Sequence, residues 1–179
     1  MKIQEIERDP LSNTEIKKYL PYAKIMTYRK LADYNNIDNL LPNSKDYAII
    51  LYEHSVNNGH WICLLKNKDV MEYFDSYGNP PDFPLNWVGC DTRKKLGSGK
   101  MLLTRMLDNC PYNVVYNPIK YQNKNPIIAT CGRHCVFRIL NMMKKDMDLP
   151  SYFKMMKQYK KKDKLDYDGV VSKYINIME

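Results

Sequence analysis

The 179 residues predict an α+β fold, a central and mainly antiparallel sheet flanked by helices. Three observations lead there. Apolar runs of strand length follow one another closely between residues 47 and 74, joined by short polar turns, as antiparallel neighbours are. Helical apolar spacing belongs mostly to the second half of the chain. Hydrophobic residues make up 44% and aromatic residues 12%, which excludes disorder and suffices for a core without disulfides or metal.

Ser12-Asn13-Thr14-Glu15 has capping-box spacing and opens a short helix toward Leu20, stopped by Pro21. Residues 25–28 are ambiguous, and 29–41 read as a polar helix or loop ending at Pro42. The run from Tyr47 to Tyr52, apolar on both faces, is a buried strand. After a turn at Val56-Asn57-Asn58-Gly59, two more strands run from His60 to Leu65 and from Val70 to Phe74. Lys66-Asn67-Lys68-Asp69 between them is a four-residue hairpin turn. Gly78 to Pro84 is a proline-rich surface loop. Met101, Leu102, Leu103, Met106 and Leu107 give Ser98 to Leu107 a helical pattern, and Tyr112 to Tyr116 is a strand. A loop through Asn125 leads to a helix over Ala129 to Leu140. Helices from about Ser151 to Lys161 and from Tyr167 to Ile177 follow. Nothing marks a repeat or linker, so one domain is expected over residues 1–179.

Twenty-eight Lys and Arg against twenty Asp and Glu give a formal charge of +8. Such a balance permits contact with nucleic acid or an acidic partner and names neither. Much of it lies in surface-like runs, Lys157 to Lys164 and Arg93, Lys94, Lys95. No apolar run approaches the ~20 residues of a membrane span, and the opening MKIQEIERDP has no signal-peptide apolar region. Five unevenly spaced cysteines argue against a disulfide framework and fit a reducing compartment.

Cys131 stands at the first turn of the Ala129 helix, where unpaired N–H groups and the positive dipole end favour a thiolate. Cys135, Val136, Ile139, Leu140 and Met143 form an apolar stripe, with Arg133, His134, Arg138, Asn141 and Lys145 on the wetter side. Thr130 could cap this helix, and Gly132 would let a substrate backbone approach closely. A buried, inert cysteine is the competing reading. Centring the hairpin on residues 66–69 sets His60 opposite Asp75 on one face, with Cβ atoms ~5 Å apart. The carboxylate could fix the imidazole tautomer and leave the other ring nitrogen for Cys131. Cys131, His134 and Cys135 offer too few ligands for zinc. The stretch 97–101 lacks the first glycine and the Ser/Thr of a phosphate loop. His54 lacks a symmetric acidic partner, and Cys63 and Cys90 read as core or loop residues.

Gly59-His60-Trp61, then Tyr73-Phe74-Asp75-Ser76, then Thr130-Cys131-Gly132 resemble the adenain clan of cysteine proteases, which includes the proteases of ubiquitin-like proteins. The Cys-Gly-Arg-His form is most similar to maturation proteases of virophages and large DNA viruses. The resemblance implies a permuted papain-like fold, with His60 as general base, Asp75 as its orienter and Cys131 as nucleophile. It implies that Trp61 covers the dyad and that Gln122, nine residues ahead of Cys131, donates to the oxyanion beside the Cys131 N–H. The family gap is usually six or seven, so the loop must bulge. The implied function is a cysteine endopeptidase cleaving viral capsid precursors during virion maturation, in the virion or host cytoplasm. A deconjugating protease for a ubiquitin-like protein and an acyltransferase are the alternatives. The substrate would be a protein cut after small residues, glycine especially. No cofactor, metal or membrane is implied, and a weak non-specific DNA contact is compatible with the charge.

Overall fold

The computed structural model describes residues 2–97 and 99–176. Five strands form one sheet in chain order: β1 Lys24–Thr27, β2 Tyr47–Ser55, β3 Asn58–Asn67, β4 Val70–Phe74 and β5 Asn113–Tyr116. The two central ladders, β2 with β3 and β3 with β4, are antiparallel, and the short edge strands β1 and β5 lie parallel to their neighbours. The fold is the α+β arrangement the sequence predicts. Residues 25–28 resolve mostly into strand. The stretch 29–41 resolves into a 3-10 turn, Tyr28–Asp33, and a single helical turn, α3 Ile37–Leu40.

The other helices are α1 Ile3–Arg8, α2 Asn13–Tyr19, α4 Cys90–Lys95, α5 Leu102–Asp108, α6 Cys131–Lys145, α7 Leu149–Asp163 and α8 Tyr167–Tyr174. Ser12 caps α2 as its spacing predicts: its Oγ accepts from the Glu15 N–H at 3.3 Å, and the Glu15 carboxylate accepts from the Ser12 N–H at 2.7 Å. Helix α1 has no counterpart among the expected elements, and it buries only Ile6. Helix α7 starts at Leu149 rather than Ser151, with Pro150 inside its first turn, where a missing N–H costs nothing. Helix α5 starts later than expected. The expected start at Ser98, and the expected end of α8 at Ile177, lie outside the described residues.

Alternation along the strands builds two cores. Ile49, Leu51, Trp61, Cys63, Leu65 and Phe74 pack beneath α2, α6, α7 and α8. Ala48, Ile50, Ile62, Leu64, Met71 and Tyr73 pack against α3 and α5 on the opposite face.

Two expectations are corrected. First, the β3–β4 hairpin is longer than the sequence suggests: Asn67 pairs with Val70 and Cys63 with Phe74, leaving a two-residue turn, Lys68-Asp69, with Lys68 at φ 52°. Lys66 belongs to the ladder because its stem is buried while its ammonium reaches Asp38 at 2.6 Å and the Leu41 carbonyl at 3.0 Å. The register therefore shifts by two, so Asp75, just past β4, is diagonal to His60 rather than opposite it. A two-residue slip keeps the face, and a one-residue slip would have lost it. Second, the polar side of α6 is not wet. Arg133, His134, Arg138 and Asn141 are buried, and only Lys145 of that set is exposed. Met143 leaves the apolar stripe for solvent and Met142 fills its place. Packing of α6 between the sheet and α7 and α8 closes off both sides. The buried side chains find partners: Arg138 donates to both Glu72 carboxylate oxygens at 2.7 and 2.6 Å, Arg133 to the Asp9 and Ile175 carbonyls, Asn141 to the Phe137 carbonyl, while His134 Nδ1 and Arg138 Nη1 have none among the described residues.

Candidate active site

Three elements converge on one point. Cys131 is the first residue of α6 and 7% exposed, His60 is near the start of β3, and Asp75 follows β4. His60 Nε2 lies 2.7 Å from Asp75 Oδ1, and the imidazole is also hydrogen-bonded to the Cys131 thiol. With Nε2 taken, Nδ1 is the nitrogen left for sulfur. The N–H groups of Trp61 and Gly132 also point at the sulfur.

The electrostatics follow from this packing. Burial opposes a charge on His60, yet Asp75 and then Cys131 outweigh it and push the imidazole up to about 10. Burial likewise opposes a thiolate, but the His60 hydrogen bond and charge, with the Trp61 and Gly132 N–H groups, hold Cys131 below its ordinary value. The pair is thus disposed to exist as thiolate and imidazolium. Cys135, one helical turn on, is the contrast: burial and its contact with Cys63 push that thiol well up.

Asp75 is fully buried and held from several sides. Oδ1 also accepts from the Tyr77 N–H at 2.8 Å and Oδ2 from Asn79 Nδ2 at 3.0 Å. Its carbonyl accepts from Asn117 Nδ2 at 2.7 Å and from the Gly78 N–H at 2.9 Å. Gly78 takes φ 71°, and a Cβ there would come within 2.9 Å of the Ile119 backbone and the Pro118 carbonyl oxygen, so only glycine suits this turn. Ser76, the next residue, serves the other half of the site. Its Oγ donates to Gln122 Oε1 at 2.8 Å, and its carbonyl accepts from the Tyr121 and Gln122 N–H groups. Gln122 Nε2 donates to the Ile128 carbonyl at 3.2 Å, and Gln122 lines the same cleft as Cys131. The loop between them is shaped by Asx-type turns at Asn123 and Asn125.

The remaining expected residues fall differently. Trp61 packs in the core beside Cys131, its Nε1 donating to the Leu11 carbonyl at 3.2 Å. The rings against His60 are instead Tyr77, stacked at 4.8 Å, and Trp87, edge-on at 5.4 Å. Gly132 does not face open space: a Cβ would meet Leu11 and Trp61 at 3.1 and 3.3 Å, so its role is close packing. Thr130 does not cap α6, because its hydroxyl donates to Asp168 Oδ1 at 2.5 Å. His134 is bonded to the same oxygen at 3.0 Å. His54 is exposed at the cleft edge. The sequence pattern offers Ser76 only as part of a motif, without a role, and singles out none of Tyr77, Asn79, Trp87, Asn117 and Asp168. Ser76 to Asn79 could have been suspected from their place after Asp75, whereas nothing in the chain's spacing points to Trp87 or Asp168.

The dyad lies in a cleft of about 1210 Å³, reached from α2, the β2–β3 turn and the Gln122 loop. A thiol, an imidazole bonded to a buried carboxylate and a helix N-terminus share that space, the groups that acyl transfer requires. Among the described residues no helix is long and apolar enough to cross a membrane, and no three metal-ligating side chains cluster.

No protein-family model matches the chain. Over 136 residues, 75% of this chain and 77% of the relative, it is 36% identical to uncharacterized protein V9 of the Sputnik virophage. Among solved structures it is similar to the crystal structure of ASFV pS273R protease, at TM-score 0.54 and 12% identity over 96% of this chain and 68% of that one. A Se-Met crystal structure of the same protease gives TM-score 0.52 and 16% identity over 94% and 67%.

Proposed function

Because the chain belongs to the family of the Sputnik virophage protein V9 and has the fold of the adenain-like cysteine proteases, we propose that it is a cysteine endopeptidase. The observation that carries this is the hydrogen-bonded series Asp75–His60–Cys131 in the floor of the cleft. The Cys131 thiolate attacks the carbonyl carbon of the scissile peptide. The oxyanion is met by the Cys131 N–H, which has no partner within its own helix, and by the Gln122 side-chain amide. The His60 imidazolium passes its proton to the departing amine nitrogen as the C–N bond breaks, leaving a thioester on Cys131. His60 then takes a proton from water, hydroxide adds to the thioester, and the C–S bond breaks to restore the thiolate and release the carboxylic acid, which gives its proton to solvent. Asp75 keeps the ring oriented and balances its charge throughout.

The substrate is proposed to be a viral structural precursor, with the enzyme acting as one domain in the virion or host cytoplasm. Kinship with a virophage protein supports the viral setting, and five free cysteines support a reducing one. Tyr77 and Trp87 crowd the His60 side of the cleft, which favours small residues before the cut. The test is incubation of the protein and its Cys131→Ala variant with the virus's own capsid precursor and, separately, with a ubiquitin-like protein bearing a C-terminal extension. Cleavage of the precursor by the unmodified chain alone is the expected result. Cleavage of the ubiquitin-like tail only, or acyl transfer without hydrolysis, would replace the capsid reading.

A further inference from the structure

We propose that Asp168 is a positioning residue for the oxyanion hole, a buried carboxylate that ties the residue beside Gln122 to the residue beside Cys131. The inference rests on the endopeptidase reading above. Asp168 belongs to the first turn of α8 and is 2% exposed. Its Oδ2 accepts from the Asn123 N–H at 2.8 Å, and Asn123 follows Gln122 directly. Its Oδ1 accepts from the Thr130 hydroxyl at 2.5 Å and is bonded to His134 Nε2 at 3.0 Å. Thr130 immediately precedes Cys131, and His134 lies one helical turn beyond Thr130.

The two proposed oxyanion donors come from different pieces of chain. The loop joining them is exposed from Asn123 to Ile127, so no core packing sets its path. Gln122 is anchored through Ser76 on one side and through the Ile128 carbonyl within the loop. Asp168 is the group that connects the loop to the head of α6, one carboxylate oxygen to each. Burial opposes its charge, but the bonds from His134, Thr130 and Asn123 outweigh that and hold its carboxyl below the usual range. It therefore accepts at both oxygens across the neutral range. Asp168 touches neither His60 nor Cys131 in any of these bonds, so its influence should fall on oxyanion stabilisation and spare thiolate formation.

The test compares Asp168→Asn and Asp168→Ala with the unmodified chain in three measurements: peptide turnover, adduct formation with a peptide aldehyde, and alkylation of Cys131 by iodoacetamide against pH. A carboxamide keeps only one acceptor oxygen and must turn its amide toward a former donor. Alanine releases both sides. Hydrolysis and aldehyde adduct formation both place an oxyanion or hydroxyl in the hole, and alkylation does not. The expected outcome is a kcat lower by on the order of 10-fold for Asn and 100-fold for Ala, with KM within about 2-fold. Aldehyde affinity should fall in parallel, while the alkylation pH profile stays unchanged. If Asp168→Ala does not fold, Asp168→Asn decides. Wild-type kcat in a folded variant, or an alkylation rate that falls with turnover, would overturn the inference alone. An unmodified chain that neither cuts peptides nor forms an aldehyde adduct would overturn the endopeptidase reading and this inference with it.

Discussion

At the scale of single residues, two cysteines one helical turn apart have opposite fates because of what surrounds their sulfurs. Cys131 meets an imidazole and two N–H groups, whereas Cys135 meets the apolar core and Cys63. Cys131→Ala is expected to abolish hydrolysis and leave the melting temperature nearly unchanged. Cys135→Ala should keep turnover and cost about 1–2 kcal/mol in a denaturant titration, as a small core truncation does. The reverse pattern would identify the wrong nucleophile. The pH response follows from the directions of the shifts. His60 titrates in the folded state at about 10, above its ordinary value, so its contribution to stability is fully present below ~6.5 and is lost as pH rises through about 10. Cys131 shifts the other way, so the thiolate–imidazolium pair occupies the window between its lowered pKa and about 10. Iodoacetamide should therefore alkylate Cys131 at full rate below the ordinary thiol pKa of ~8.5, and His60→Ala should move that onset upward. A profile unmoved by His60→Ala would remove His60 from the pair.

At the scale of elements, the turn after β4 and the interior helix α6 carry the site. Asp75 and Ser76, consecutive in that turn, hold His60 and Gln122 respectively, so its backbone course sets both halves at once. Gly78→Ala puts a side chain at φ 71° against the Ile119 backbone. We expect a loss of at least about 1–2 kcal/mol in thermal denaturation, together with lower turnover, because Asp75 moves with the turn. An unaffected variant would show that the turn can relax without disturbing the carboxylate. Helix α6 is tied to the sheet by the two-pronged Arg138–Glu72 pair, both side chains being buried. Removing one partner, as in Arg138→Met, should destabilise by about 3–5 kcal/mol, since a buried charge is left alone. Replacing both, Arg138→Met with Glu72→Leu, should recover most of that loss in urea titrations. Equal losses in the single and double variants would mean that the pair itself, rather than its imbalance, is what matters.

Across the whole chain the formal charge of +8 is dispersed: Arg29, Lys30 and Lys124 line the cleft, and other basic residues lie on separate helices. Arg93, Lys94 and Lys95 lie on α4, and the lysines from 157 to 162 on α7. The ammonium of Lys157 sits over the Phe153 ring at 4.3 Å and that of Lys160 over Tyr167 at 4.9 Å, so part of this charge already has partners within the protein. Any contact with DNA should then be sequence-independent and weak. We expect retention on duplex DNA at low salt that is lost by physiological salt, with affinity falling linearly against log salt. Retention that persists at physiological salt would show that a dedicated phosphate-binding track exists.

Legible in the residues alone were the strands from Tyr47 to Phe74 and near Tyr112, the helix that carries Cys131, and the candidate residues His60, Asp75 and Cys131. These depend on local periodicity and on short patterns, Gly59-His60-Trp61 and Thr130-Cys131-Gly132, that survive being read in one dimension. Even the misjudged hairpin kept His60 and Asp75 on one face, because an error of two residues respects the pleat. What the tertiary structure decided is the environment of each group. Arg133, His134 and Arg138 look like surface residues in a helical pattern, yet α6 is buried from Cys131 to Ile139 and each finds its partner far along the chain. Trp87 reaches His60 and Asp168 reaches Thr130 across 27 and 38 residues of sequence, and such encounters follow from how elements pack rather than from any local signal. A pKa set by burial against neighbouring charge has the same origin, so the chemistry of Cys131 could be suspected from its position but acquires its direction only in the fold.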